Sequence, residues 1–161
     1  MKVFTPLLLS AALLFAGSVL AEEGASSAAD TNNEILMQKI KADKKLLVAS
    51  NMDLTDTEAK QFWPLYDAYQ KELNTINEQL IATLKEYAKE FNKGPLPNDT
   101  AKRLLNEALD VQESELKLKR TYADKIGKVL PAYKTVRYIQ IENKIRAVLN
   151  AVLAREIPLV Y

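Results

Sequence analysis

Residues 55–91 read TDTEAKQFWPLYDAYQKELNTINEQLIATLKEYAKEF, and this stretch decides the fold. Its large apolar residues recur every three or four positions, which is the spacing of one face of an α-helix. They are Phe62, Tyr66, Tyr69, Leu73, Ile76, Leu80, Leu84, Tyr87 and Phe91. Thr55 and Glu58 open the stretch with the spacing of a capping box, and Gly94-Pro95 follows its end. The pattern predicts one helix of about 38 residues, about 57 Å long.

Two features near the start of this helix need interpretation. Pro64 removes one backbone donor and crowds the preceding turn, so we expect a bend near residues 61–64 without a full break. Trp63, Tyr66 and Tyr69 have two interpretations. In the one we favour, the rings fill the end of a helical hairpin; in the other, they form a contact patch for unfolded proteins or a partner.

Upstream, Thr31 and Glu34 have the spacing of another capping box, and a helix is predicted near residues 34–50. Its apolar face contains Ile35, Leu36, Ile40, Leu47 and Val48. Its basic residues are Lys39, Lys41, Lys44 and Lys45. We interpret these lysines as a solvated face, with a basic rim that attracts acidic client segments as the alternative. Residues 51–54 then predict a turn.

Downstream, the loop 93–98 contains one glycine and two prolines, after which Asn98 or Asp99 is predicted to cap a third helix reaching about Val129. Its apolar residues are Leu104, Leu105, Ala108, Leu109, Val111, Leu116, Leu118, Tyr122, Ile126 and Val129. Glu115 falls where this apolar stripe would run, so we expect a polar contact there that sets helix register.

Leu130-Pro131 marks the next boundary, and a fourth helix is predicted to end near Arg155. Its apolar face would contain Tyr138, Ile141, Ile145, Val148 and Val152. Pro158 cannot continue the helix, so the tail 157–161 should pack back on the helices or on a second subunit. The chain therefore predicts an elongated all-α fold of four antiparallel helices. Helices this long leave apolar stripes uncovered within one chain, which favours a homodimer or an open apolar surface.

Residues 1–21 have the features of a secretory signal peptide. Lys2 is the only charge before Glu22, and an apolar run is followed by small residues and a cleavage point after Ala21. A membrane anchor is the alternative, but a proline and a glycine interrupt the uncharged stretch. We predict a periplasmic protein with no membrane segment after cleavage. The predicted division is a signal peptide at 1–21, a flexible leader at 22–33 and a helical domain at 34–161.

The composition closes off most enzyme classes. The sequence contains no His and no Cys, which excludes disulfides, thiolate ligands, a cysteine nucleophile, the usual general base and the commonest metal ligand. No nucleophile elbow or phosphate loop follows residue 21, so we predict a non-enzyme without a cofactor. A net charge of +1 gives no electrostatic reason to expect nucleic-acid binding.

Carboxylates on the third helix have two interpretations, as a site for a hard cation such as calcium or as ordinary surface charge. Asp110, Glu113 and Glu115 lie near Glu107 in the sequence. Calcium sites need loop carbonyls to complete six or more ligands, so ordinary surface charge is the favoured interpretation and no metal site is predicted.

The order of elements resembles the Spy/CpxP group of periplasmic stress proteins, whose repeated signature is Leu-Thr-x-x-Gln. Leu54-Thr55-Asp56-Thr57-Glu58 looks like the first copy, with Glu in place of Gln. The second copy would fall at residues 130–134, where Leu130 and the helix-starting role of Pro131 are kept. The resemblance implies an antiparallel dimer with a concave face that acts as an ATP-independent chaperone or an envelope-stress adaptor. The alternative function is a regulatory or structural adaptor that docks one specific envelope protein.

Overall fold

The computed structural model describes residues 42–160, of which 85% are helical and none lies in a strand. The helices in this range are α1 at 42–52, α2 at Asp56–Phe91, α3 at Asn98–Ile126 and α4 at Ala132–Glu156. The predicted all-α class is therefore confirmed. The predicted signal peptide, leader and first capping box lie outside the described residues, as do Lys39, Lys41 and the rest of residues 34–41.

Helix α2 begins at the predicted capping box. The Thr55 hydroxyl oxygen accepts from the Glu58 amide at 3.3 Å, and a Glu58 carboxylate oxygen accepts from the Thr55 amide at 2.8 Å. The helix runs through Pro64 for 36 residues, or about 54 Å, so the expected continuity is confirmed and the bend stays a prediction. After Phe91, Gly94 adopts a φ of +132°, a backbone conformation that glycine adopts at low steric cost.

The predicted cap of α3 is wrong. Pro97 occupies the N-cap position in an extended conformation, and Asn98 and Asp99 are already helical. The proline ring fixes φ near the value that helical residues adopt, which favours the start of a helix at this point. Proline has no side-chain acceptor, so no side-chain cap hydrogen bond forms at Pro97. Helix α3 ends at Ile126, three residues before the predicted end. Pro131 is the N-cap of α4, which confirms the predicted boundary at Leu130-Pro131.

The main core lies at one end of the molecule, beside the α1–α2 and α3–α4 turns. Every described helix contributes to it, and aromatic rings meet there edge to face. The ring of Phe62 lies 5.1 Å from that of Tyr138, and Tyr69 lies 5.3 Å from Tyr122. The buried residues of this core are Val48, Met52, Phe62, Tyr66, Tyr69, Leu73, Leu118, Tyr122, Ile126, Leu130 and Tyr138. Farther along α2, four residues of the predicted apolar stripe are only half-buried, namely Ile76, Leu80, Leu84 and Tyr87. This stretch of the stripe is therefore less completely covered than the part beside the main core.

The predicted inward face of α4 is wrong over most of its length. Tyr138 is buried as expected, but Ile141 and Ile145 are half-buried, and Val148 and Val152 are 68% and 38% exposed. The other residues of α4 that are buried instead are Lys134, Glu142 and Leu149. The charged side chains on this face all find partners, which are described below. An apolar pattern alone cannot show this choice of face.

The chain after α4 packs back on α2. The Tyr87 hydroxyl donates to the Pro158 carbonyl oxygen at 2.7 Å, which agrees with the first of the two predicted arrangements of the tail. Leu159 and Val160 beyond it are exposed. Between residues 42 and 160, no helix has the length and apolar character of a membrane span.

Candidate functional site

The predicted aromatic contact residues lie mainly in the core. Tyr66 and Tyr69 are 3% and 1% exposed, so they fill the hairpin end and cannot form a surface patch. Burial raises the pKa of both phenols. Trp63 is half-buried, and the Lys45 ammonium lies 5.2 Å from its ring. Of the three rings, only that of Trp63 reaches the surface.

The two described lysines of the predicted basic face separate into different roles. Lys45 stays near the surface, where its ammonium lies 2.8 Å from Asp67. Lys44 points inward and donates to Gln70 at 2.8 Å and to Glu142 at 2.9 Å. Burial lowers the pKa of Lys44, although the adjacent Glu142 carboxylate acts in the opposite direction. Lys44 therefore links α1, α2 and α4 and does not belong to a solvated rim.

The polar contact predicted at Glu115 is confirmed. Arg146 donates from Nε to Glu115 at 2.9 Å and from Nη2 to Asn77 at 2.8 Å, so one guanidinium joins α2, α3 and α4. Glu107, another carboxylate weighed for a cation, pairs with Arg103 at 2.7 Å. In the range 42–160, no three acidic residues are grouped so that they could hold a metal ion.

The two turns that carry the family-like motifs are joined by Lys134. Its ammonium lies 2.6 Å from a Glu58 carboxylate oxygen and 2.6 Å from the Asp53 carbonyl oxygen. Glu58 thus completes the capping box and holds the first turn of α4 at the same time. Leu54 packs against the main core and Leu130 is buried within it. The motif residues Leu54, Thr55, Glu58, Leu130 and Pro131 therefore have structural roles at one end of the molecule.

A polar cleft lies between the end of α1 and α4, lined in part by Ser50, Asp53, Arg137 and Lys144. Its hydroxyl group, that of Ser50, donates to the Leu47 carbonyl oxygen at 3.0 Å. That hydrogen bond lies within α1 and directs the hydroxyl proton to the backbone. The cleft does not present an activated nucleophile.

Two exposed apolar rows are the most distinctive surface features. The first, which we call the α4 row, contains Ile141, Ile145, Val148 and Val152 at spacings of 4, 3 and 4, so its members share one helix face. It begins half-buried beside the core and becomes exposed toward the end of α4. This is the stripe that the sequence predicted to be the inward face of α4.

The second, which we call the α3 row, contains Leu105, Leu109, Gln112 and Leu116, again at spacings of 4, 3 and 4. The three leucines are 59%, 51% and 52% exposed. The sequence pattern predicts one stripe that contains both these leucines and the buried residues of α3. The signal that separates them was available, because adjacent residues such as Leu104 and Leu105 lie 100° apart around a helix and cannot share one narrow face.

Comparisons with protein-family models, with curated proteins and with solved structures find no match to this chain.

Proposed function

We propose that this chain is a periplasmic protein that binds other proteins and catalyses no reaction. Its activity would be that of an ATP-independent chaperone or envelope-stress protein of the Spy/CpxP type, working as a homodimer. The observation that carries the proposal is the α4 row, which leaves branched apolar side chains open to solvent along the end of a helix.

The chemistry of the α4 row suits a broad range of protein partners. Apolar contact is non-directional, so a strip of valine and isoleucine accepts many sequences and needs no matching hydrogen bonds. Val148 and Val152 lie on the part of α4 that extends away from the main core. The exposed Lys144 is on the same side of the helix and can attract acidic segments of a client.

The absence of catalysis is supported by composition. With neither His nor Cys in the sequence, a serine or threonine nucleophile would depend on Lys, Asp or Glu as its base. The buried residues Glu142 and Lys134 and the half-buried residues Lys44 and Glu58, all close to the core, are engaged with one another or with the backbone. Periplasmic location rests on residues 1–21, and processing at Glu22 would be checked by mass spectrometry of the exported protein.

The test is suppression of aggregation. Protein purified from the periplasm of an expression host should slow the aggregation of unrelated, chemically unfolded proteins at near-stoichiometric ratio and without nucleotide. The double variant Val148→Asp/Val152→Asp should lose most of this effect, because two carboxylates would replace the apolar contact. Ala151→Asp is the matched control, since it adds a charge at an exposed position of the same helix but outside the α4 row.

The alternative adaptor function gives a different result in the same assay. An adaptor would leave the aggregation of unrelated proteins unchanged and would bind one envelope protein at a fixed ratio. Equal suppression by the wild type and the double variant would show that the α4 row is not the client surface.

A further inference from the structure

The α3 row has the properties of a self-complementary interface. Its 4, 3, 4 spacing reads the same in both directions along the helix. An antiparallel second copy of α3, centred between Leu109 and Gln112, therefore places Leu105 opposite Leu116 of the partner subunit and Leu109 opposite Gln112 of the partner subunit. Such a row covers itself, and its length from Leu105 to Leu116 is about 17 Å.

Polar residues flank the α3 row on its solvent side at seven-residue intervals. They are Asp99, Asn106, Glu113 and Arg120. All four are exposed, and none makes a side-chain hydrogen bond or ion pair within the described residues. In the antiparallel register, Asp99 lies within about 3 Å along the axis of the level of Arg120 of the partner subunit, and Asn106 has the same offset from Glu113 of the partner subunit.

The charges distinguish this arrangement from the other ways of covering the row. In a parallel pair, Asp99 and Arg120 of the partner subunit would lie at opposite ends of the seam, about 32 Å apart along the axis, so these opposite charges would not meet. In the antiparallel pair, Asp99 lies near Arg120 of the partner subunit at both ends of the seam. On each side of the centre, the Asn106 amide lies near the carboxylate of Glu113 of the partner subunit. Gln112 lies next to the centre, where a polar residue in an apolar seam sets register.

We propose that the α3 row is the homodimer interface, with α3 packed antiparallel against α3 of a second copy in this register. The inference rests on the homodimer of the proposed function and adds its face and register. The α4 row belongs to a different helix and stays available to clients. The leucine row is short, so the dimer should dissociate measurably on dilution.

Solution mass measured over a range of concentrations tests the face. Leu109→Asp should weaken dimerisation by about 100-fold or more, because it places two carboxylates in the apolar seam. Leu46→Asp is the control, since Leu46 is 68% exposed and lies on α1. Because Leu109 is half-exposed, circular dichroism should show an unchanged fold.

Charge reversal tests the register. Arg120→Asp should weaken the dimer by about tenfold, since it sets acidic residues against Asp99 at both ends. Adding Asp99→Arg in the same chain should restore affinity to within about threefold of the wild type, because the pairs return with opposite polarity. Failure of the second change to restore affinity would overturn the register.

Cysteine cross-linking tests the direction, and the absence of native cysteine makes it clean. The variant Leu105→Cys/Leu116→Cys should form disulfide-linked dimers, whereas each single variant should not. Positions 105 and 116 of one helix are about 17 Å apart, too far for a disulfide within a chain. Cross-linking of the single variants would indicate a parallel pair and overturn the proposal.

The outcomes separate this inference from the proposed function. A dimer unaffected by Leu109→Asp or Arg120→Asp would place the interface elsewhere and leave the proposed homodimer intact. A monomer at all concentrations would overturn both the interface and the homodimer, while suppression of aggregation would still test client binding through the α4 row.

Discussion

At the scale of single residues, Lys134 shows how a charged side chain can occupy an inward position. Its side chain is 7% exposed and lies within hydrogen-bonding distance of the Glu58 carboxylate and the Asp53 carbonyl oxygen. The hydrogen bond from Lys134 lowers the pKa of Glu58, and the hydrogen bond to Glu58 raises the pKa of Lys134. The pair therefore stabilises the fold in a range of pH that these two shifts define.

The first prediction concerns that range. A lowered Glu58 pKa means that the contribution of the carboxylate is present above its ordinary value near 4.5 and is lost as the pH falls through the folded-state value. A raised Lys134 pKa means that the contribution of the ammonium is present below 10.5 and is lost as the pH rises through the folded-state value. Glu58→Gln should lower the melting temperature near neutral pH, and the difference from the wild type should shrink below about pH 4.5.

Thermal unfolding followed by circular dichroism at several pH values measures this effect. Asp110→Asn is the control, because Asp110 is exposed and makes no side-chain hydrogen bond or ion pair with the described residues. A Glu58→Gln difference that persists unchanged into acid would show that the lost contact is not ionic.

At the scale of elements, α4 is oriented by its charged residues as much as by its apolar ones. Leu149 is 5% exposed, whereas its neighbour Val148 is 68% exposed. Leu149→Ala should lower the free energy of unfolding by about 3 kcal/mol, because it leaves a cavity in a packed site. Val148→Ala should change it by less than about 0.5 kcal/mol. Urea unfolding of the two variants would show which of the two residues lies on the buried face of α4. A larger loss of stability for Val148→Ala than for Leu149→Ala would support the orientation predicted from the sequence.

The contact of α1 with α4 supplies another prediction at this scale. Lys44 and Glu142 are 11% and 4% exposed and 2.9 Å apart. Lys44→Met alone should destabilise the fold by about 3 kcal/mol, because it leaves Glu142 buried without its cation. Adding Glu142→Leu should bring the stability back to within about 1 kcal/mol of the wild type or above it, since neither charge then loses its hydration.

Urea unfolding of the two single variants and the double variant completes this cycle. The exposed pair Lys45 and Asp67 is the comparison, and its removal should cost less than about 1 kcal/mol. If the double variant is as unstable as Lys44→Met, the ion pair itself stabilises the contact between α1 and α4.

At the level of the whole molecule, the helices pack closely at one end, whereas farther from that end their apolar faces are partly exposed. The aromatic core lies where the two turns meet, whereas the far halves of the helices bury isolated residues such as Ile81 and Leu149. A helix of about 54 Å cannot be covered on all sides by a chain of this size. The exposed α3 and α4 rows follow from this shape.

The proposed homodimer would make the thermal stability depend on protein concentration. Because association stabilises only the folded chain, the melting temperature of the wild type should rise by a few degrees over about a 100-fold increase in protein concentration. Leu109→Asp should melt at nearly the same temperature across that range. Scanning calorimetry at several protein concentrations measures both melting temperatures. A wild-type melting temperature that does not change with concentration would contradict association of the folded chain.

Local spacing was enough to predict the helical class, the Thr55–Glu58 cap and the boundary at Pro131, because caps, prolines and 3.6-residue periodicity act within one or two turns. The interrupted apolar stripe also predicted a polar contact at Glu115, but its partner Arg146 belongs to another helix and could not be named from the pattern. The inward positions of Lys44 and Glu142 and the solvent-facing positions of Leu105 and Val148 became visible only in the folded chain. The physical reason is that a charged side chain can be buried once a partner from another helix satisfies it, and an apolar one stays exposed when no neighbour reaches it. Both conditions depend on residues far away in the chain, so the sequence predicted the helix periods and the inward face of α2, whereas the faces that α3 and α4 present to solvent could not be predicted from it.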